Sequence, residues 1–148
     1  MKSIGETIVL LVILLLCGSY NSYAKSFGDF EGAEYVRNYD GDTITFNLPG
    51  LHPIIGEKIS IRVNGIDTPE IRGKCEKEKY DAKQAKEMVA DILKDAEKIN
   101  LKNMERGKYF RIAADVIVDG ESLADMLVEA GMAIRYDGGK KNKNWCLN

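Results

Sequence analysis

Ile59-Ser-Ile-Arg-Val-Asn-Gly-Ile-Asp-Thr-Pro-Glu70 is the stretch on which the reading of this chain turns. Its first half alternates: Ile59, Ile61 and Val63 face one way, Ser60, Arg62 and Asn64 the other. A period of two predicts a strand with one face in a core, and it puts Arg62 on the opposite face. Gly65 lets the chain bend before Asp67-Thr-Pro-Glu70. Proline fixes its own φ and pushes Thr68 into extended backbone, so the two carboxylates sit on stiff chain. A guanidinium and two carboxylates gathered at a strand end look like a site rather than a solvated face.

On the N-terminal side, Lys25–Gly32 reads as a loose lead-in. A strand is predicted around Glu34–Tyr39 and another over Ile44–Leu48, joined by Asp40-Gly-Asp-Thr43. Asp-Gly between two strand-like runs is a strong hairpin signal. Pro49-Gly-Leu-His-Pro53 breaks the pattern and marks an exposed loop, in which His52 reads as a surface residue. On the C-terminal side, Glu76–Lys98 reads as a helix. Ala82, Ala85, Met88, Val89, Ile92, Leu93 and Ala96 form one stripe at 3- and 4-residue steps, a core face with no ligand role. Strands are predicted over Ile99–Met104 and Tyr109–Val118, the second with Phe110, Ile112, Ala114, Val116 and Val118 on one face and Arg111 on the other. Ser122 offers an N-cap to a short helix, Leu123–Ala130, that stops at Gly131. Met132–Tyr136 could add an extended piece, and residues 138–143 read as a basic, flexible tail before Trp145-Cys146. Five strands with a helix inserted after the third predict an α+β domain: a small antiparallel β-barrel with two main helices.

The chain has 148 residues and a formal net charge of −2, which suits one domain. A binder living on phosphate contacts alone is usually basic, so a polyanion partner here must be held by local charge and a bound cation. Lys2, the apolar run Ile8–Leu16 and Ser22-Tyr-Ala24 read as a signal peptide, residues 1–24, cut after Ala24. The run is short for a membrane span of roughly 20 residues; an uncleaved anchor is the alternative. The expected mature domain is 25–148, secreted or periplasmic, monomeric and without stable membrane association. It keeps Cys75 and Cys146, and an even pair in a small exported domain usually forms a disulfide; two free thiols are the alternative. One histidine and no closely spaced cysteines argue against zinc.

Asp40, Asp42, Asp67 and Glu70 stand near strand ends, while Arg62 and Arg111 project from the non-core faces of separate strands. Hard cations such as Ca²⁺ take carboxylate and carbonyl oxygens, and two aspartates leave an open site. Arginine gives planar, bidentate hydrogen bonds to phosphate, and a remaining carboxylate can orient or deprotonate a water. Together these are the parts of a phosphodiester hydrolase.

Asp40-Gly-Asp-Thr43, Arg62 five residues before Asp67-Thr-Pro-Glu70, Lys108-Tyr-Phe-Arg111, and Val118-Asp-Gly120 leading into Leu127-Val-Glu-Ala-Gly131 resemble the thermonuclease (staphylococcal or micrococcal nuclease) family over residues 34–136. The resemblance implies an OB-type five-stranded barrel and cleavage of DNA and/or RNA to 3′-phosphorylated products. It implies Ca²⁺ ligation by Asp42, Asp67 and the Thr68 carbonyl, with Asp40 behind them. Glu70 becomes the general-base candidate, Arg62 and Arg111 the phosphate clamp, and Lys108, Tyr109 and Tyr136 substrate contacts. The chain departs from the family at Phe110 and Gly107, in a longer Pro49–Glu57 loop, and in ending on Trp145-Cys146 where other members have a C-terminal helix. The alternative function is a non-catalytic OB-type module that binds nucleic acid or protein; a third is hydrolysis of another phosphodiester.

Overall fold

A computed structural model describes residues 26–107, 111–141 and 143–147. The expected signal peptide and the substrate residues Lys108 and Tyr109 lie outside the described residues. β2 (Glu34–Asn38) and β3 (Thr43–Asn47) form the expected antiparallel hairpin, with Asn38 opposite Ile44. β3 continues antiparallel to β4 (Ile59–Val63), which pairs Thr43 with Arg62 and Thr45 with Ser60. The alternation in β4 holds: Ile61 and Val63 are buried, and Arg62 lies half-buried on the other face.

The sheet then departs from the expected all-antiparallel order. β7 (Ile112–Val118) lies parallel to β4, with Ile61 opposite Ile112 and Val63 opposite Ala114. The connection between the two strands includes α2 (Glu76–Asp95), and a parallel neighbour needs such a long connection. β6 (Ile99–Arg106) pairs antiparallel with β7 on one side and with β1 (Phe30–Glu31) on the other. The lead-in is therefore not loose: Phe30 pairs with Leu101, and the Phe27 amide donates to the Met104 carbonyl at 2.7 Å. Because Phe30–Asn38 pairs with β6 at its start and β3 at its end, the sheet curls back on itself. This is an OB-type α+β fold, mostly antiparallel.

Ile44, Phe46, Ile61, Leu101 and Val116 fill the barrel, capped by Val89 and Leu93 of α2 and by Leu123 and Leu127 of α3 (Leu123–Glu129). Each such fully buried side chain stabilises by roughly 1.5–3 kcal/mol. α2 stops three residues before Lys98, because the Glu97 and Lys98 amides turn to donate to the Asp119 carboxylate at 3.2 and 2.7 Å. A one-turn helix, α1 (Pro53–Gly56), interrupts the long loop, and exposed His52 caps it through Nδ1. Three short strands complete the chain: β5 (Ile66–Asp67), β8 (Glu121–Ser122) and β9 (Ile134–Arg135), with β5 paired to β9. Among the described residues no helix is long and apolar enough to cross a membrane.

Candidate active site

The turn between β2 and β3 is rigid because its polar groups are used internally. Asp40 is buried and accepts from the amides of Asp42 and Thr43 at 3.1 and 2.8 Å, the local hydrogen bonding that suits aspartate to turns. Asn38 Nδ2 donates to the Asp40 carbonyl at 2.8 Å and to the Lys86 carbonyl on α2 at 3.0 Å. Between them, a Cβ on Gly41 would meet Thr68 Cγ2 at 2.9 Å and Ala85 Cβ at 3.1 Å. Only glycine lets the turn close on Thr68 and α2 in this way.

That closure presents Asp42, buried, to the outward face of β4. Arg62 Nη1 lies 2.5 Å from Asp42 Oδ1, and Thr43 Oγ1 donates to the same oxygen at 3.0 Å. Arg62 Nη2 donates to the Ile66 carbonyl at 3.2 Å and stands 3.9 Å from Asp67 Oδ1. Asp67 is 2% exposed and clamped in β5, opposite Ile134. Burial pushes the Asp42 carboxyl up to about 6; Arg62 pulls the other way, and Asp40 and Asp67 add to the rise.

Thr68 and Pro69 are buried behind Asp67, while Glu70 is exposed. Lys141 bridges the two acids: its Nζ is 2.7 Å from Asp67 Oδ1 and 2.8 Å from Glu70 Oε1. Partial burial works against the ammonium charge, but Asp67 and Glu70 outweigh it and hold Lys141 above the ordinary lysine value. Trp145 Nε1 reaches Asp67 Oδ2 at 3.4 Å. The Cys75–Cys146 disulfide, with Cα atoms 6.0 Å apart, fastens the strand of chain carrying Lys141 and Trp145. The tail is thus a strap across the acids, and Lys141 is not a free tail cation. Its clue in the sequence is the cysteine pair, which brings residue 146 next to a position five residues past Glu70.

The buried aspartates suit a hard cation. Asp67 Oδ1 is inaccessible to water and receives no hydrogen bond of proper geometry, its contact with Lys141 being one of charge. A buried carboxylate oxygen calls for a cation or donor beside it, and oxygen donors from Asp42, Asp67 and the Thr68 carbonyl match Ca²⁺ chemistry. Cys75, Glu78 and Cys146 also bring ligand-type atoms within 4.8 Å of one another, but both sulfurs are tied up in the disulfide.

A cavity of about 430 Å³ opens beside this pair, lined by Arg62, Glu70, Arg111, Tyr136 and Lys141, with Glu105 on its wall. Of the residues expected in the site, it gathers both arginines, the base candidate and Tyr136, whose hydroxyl donates to the Gly139 carbonyl at 2.6 Å. Glu105 and Lys141 are the members that pattern reading of the sequence missed.

The family model for staphylococcal nuclease homologues matches residues 60–146. The chain belongs to that family. The match begins within β4 and takes in Arg62, Asp67, Glu70, Arg111 and the whole strap to Cys146; Asp40 and Asp42 precede it. No curated protein matches the chain. The family is generally one of nucleases, typically Ca²⁺-dependent, on an OB-type fold.

Proposed function

We propose that this protein is an exported, Ca²⁺-dependent phosphodiesterase that hydrolyses DNA and/or RNA to 3′-phosphorylated products. The observation carrying this reading is the cavity that holds Arg62, Arg111 and Glu70 beside the buried Asp42–Asp67 pair. Asp42, Asp67 and the Thr68 carbonyl would hold the ion, with Asp40 fixing the turn behind Asp42. Bound there, calcium would supply Lewis-acid polarisation of a phosphoryl oxygen.

The chain's own residues supply the rest. Arg62 and Arg111 enter the cavity from β4 and from just before β7, so two guanidinium forks can grip one phosphate. Arginine stays charged and presents fixed donors as negative charge builds on the equatorial oxygens. Glu70 is exposed at the cavity wall, where it can orient a water and take its proton as the water oxygen attacks phosphorus. The P–O5′ bond then breaks, and the departing oxygen takes a proton from solvent water, leaving a 3′-phosphate and a 5′-hydroxyl. Lys108, Tyr109 and Tyr136 are assigned to the substrate by family resemblance, Tyr136 with the added support of its place on the cavity wall. Removal of residues 1–24 on export fits the disulfide, since such bonds persist in oxidising compartments; a mature N-terminus at Lys25 in the mass spectrum would test it.

Purified protein should degrade single-stranded DNA with Ca²⁺ and stop when the ion is chelated. Arg111→Ala and Glu70→Gln should each lose about 10²–10³ in kcat. Full activity in either variant would overturn its assigned role. One observation favours the second reading, a binding-only OB-type module: Lys141 neutralises Asp67 and Glu70 directly. That reading expects oligonucleotide binding indifferent to chelator, with no product formed.

A further inference from the structure

Beside the outward face of β3 and β4 lies a second cavity, of about 600 Å³. Arg37 of β2, Lys58 just before β4 and Lys86 of α2 line it, with Tyr39, Thr45 and Ser60 between them, and no carboxylate lines it. This local charge runs against a chain whose net charge is −2. The three cations are also unspent: among the described residues none of their side chains has an ion pair or hydrogen bond. Two other lysines of α2 are paired, Lys77 with Asp81 and Lys79 with Glu76.

Local backbone aims these side chains. A register shift between Tyr35 and Arg37 sets Arg37 opposite Thr45, and bulges of this kind commonly re-aim side chains near functional sites. Lys58 holds a positive φ of 53°, a conformation costly for a residue with a Cβ, and its amide is locked to Asn47 Oδ1 at 3.0 Å. The Lys86 carbonyl receives Asn38 Nδ2, which fixes the α2 wall to β2.

The two cavities share a floor. Thr43, which lines the second cavity, pairs across the ladder with Arg62, which lines the first. The next outward pair, Thr45 with Ser60, lies two residues along, roughly 6.6 Å at strand rise. That step is comparable to one extended nucleotide. A chain gripped at Arg62 would therefore lay its neighbouring phosphates toward Arg37, Lys58 and Lys86.

Resting on the reading of the site as a nuclease, we infer that this cavity is a subsite for the single strand flanking the scissile phosphate. Arg37, Lys58 and Lys86 take backbone phosphates, and Tyr39, half exposed, offers its ring to a base. Basic grooves interleaved with aromatic rings bind single strands in this manner.

The test measures fluorescence anisotropy of labelled oligonucleotides with the full-length protein in chelator, across a salt series. Combined Arg37→Gln, Lys58→Gln and Lys86→Gln should lower the slope of log affinity against log salt by about 2, since each single-strand phosphate contact contributes about 0.7. Tyr39→Ala should weaken binding about tenfold. The loss should grow with oligonucleotide length and appear with deoxy- or ribo-oligonucleotides. An unchanged slope with both would overturn the subsite. So would an equal loss when the charges are removed elsewhere, by Lys83→Gln, Lys94→Gln and Lys102→Gln. An equal loss on duplex DNA would overturn the single-strand assignment. A parallel turnover assay with Ca²⁺ separates the two readings. Product formation with an unchanged slope rejects the subsite and keeps the nuclease, whereas a lowered slope without product from the unaltered protein does the reverse.

Discussion

Asp42 carries a pH dependence whose sign follows from burial. Its carboxyl rises from an ordinary 3.8 to about 6 because burial disfavours the anion and Arg62 only partly offsets it. Between those values the folded protein holds a proton that the unfolded chain has released, so stability falls as pH rises through the window and levels off above it. In chelator, Asp42→Asn should therefore gain on the unaltered protein by on the order of 2–3 kcal/mol between about pH 4 and 7. Urea unfolding across that range checks it, and a constant difference would mean that Asp42 stays ionised throughout. Lys141 has a different balance. Its ammonium is partly exposed, so Lys141→Gln should cost only about 1 kcal/mol without calcium. It should also tighten Ca²⁺ binding by removing a competing cation from Asp67, as calorimetry would measure; unchanged affinity would show that Lys141 does not compete. Arg62, Asp67 and Glu70 could be placed from the sequence because a two-residue period and a proline orient them locally, and Asp42 because Asp-Gly marks its hairpin turn. Lys141 was not, since its partners are distant in sequence and no local pattern marks them.

At the scale of elements, what could be read was what repeats. The stripe of α2 announced its buried face, with Ala82, Ala85, Val89 and Leu93 inside, and the alternation of β4 announced its own. β5, β8 and β9 are two residues each and have no period to read. The strap belongs to neither class: it is held by one bond and a few contacts. Cys75 and Cys146 are 71 residues apart, so their bond restricts the unfolded chain strongly. Joint replacement by alanine should lower stability by about 2–4 kcal/mol. Trp145 is the sole tryptophan and is buried, so its emission reports the strap directly. The same variant should shift that emission to the red while far-ultraviolet dichroism still shows a folded barrel. An unshifted spectrum would mean that Lys141 and Trp145 stay seated without the bond.

For the molecule as a whole, the feature hidden from the sequence was direction. Alternation in β7 reveals which residues face the core but is the same for either strand sense, and the whole connection from β4 through α2 and β6 sets β7 parallel to β4. The consequence reaches the site. Arg62 of β4 pairs with Ala113 of β7, which brings Arg111, just before β7, to the cavity that holds Arg62. The two buried aspartates likewise come from separate parts of the fold, Asp42 from the β2–β3 turn and Asp67 from β5, itself paired to β9. A cation held by both would link the hairpin, β5 and β9, and its binding energy would add to folding stability. Free Ca²⁺ about a hundredfold above its Kd should then stabilise the protein by about 2.7 kcal/mol. Amide exchange should slow together at Thr43 and Ile66, each next to an aspartate, and at Ile134, opposite Asp67. Asp67→Asn should abolish both effects. If calcium raised the unfolding temperature equally in that variant, the ion would be binding elsewhere and the buried pair would need another counterion, for which Lys141 already stands in contact.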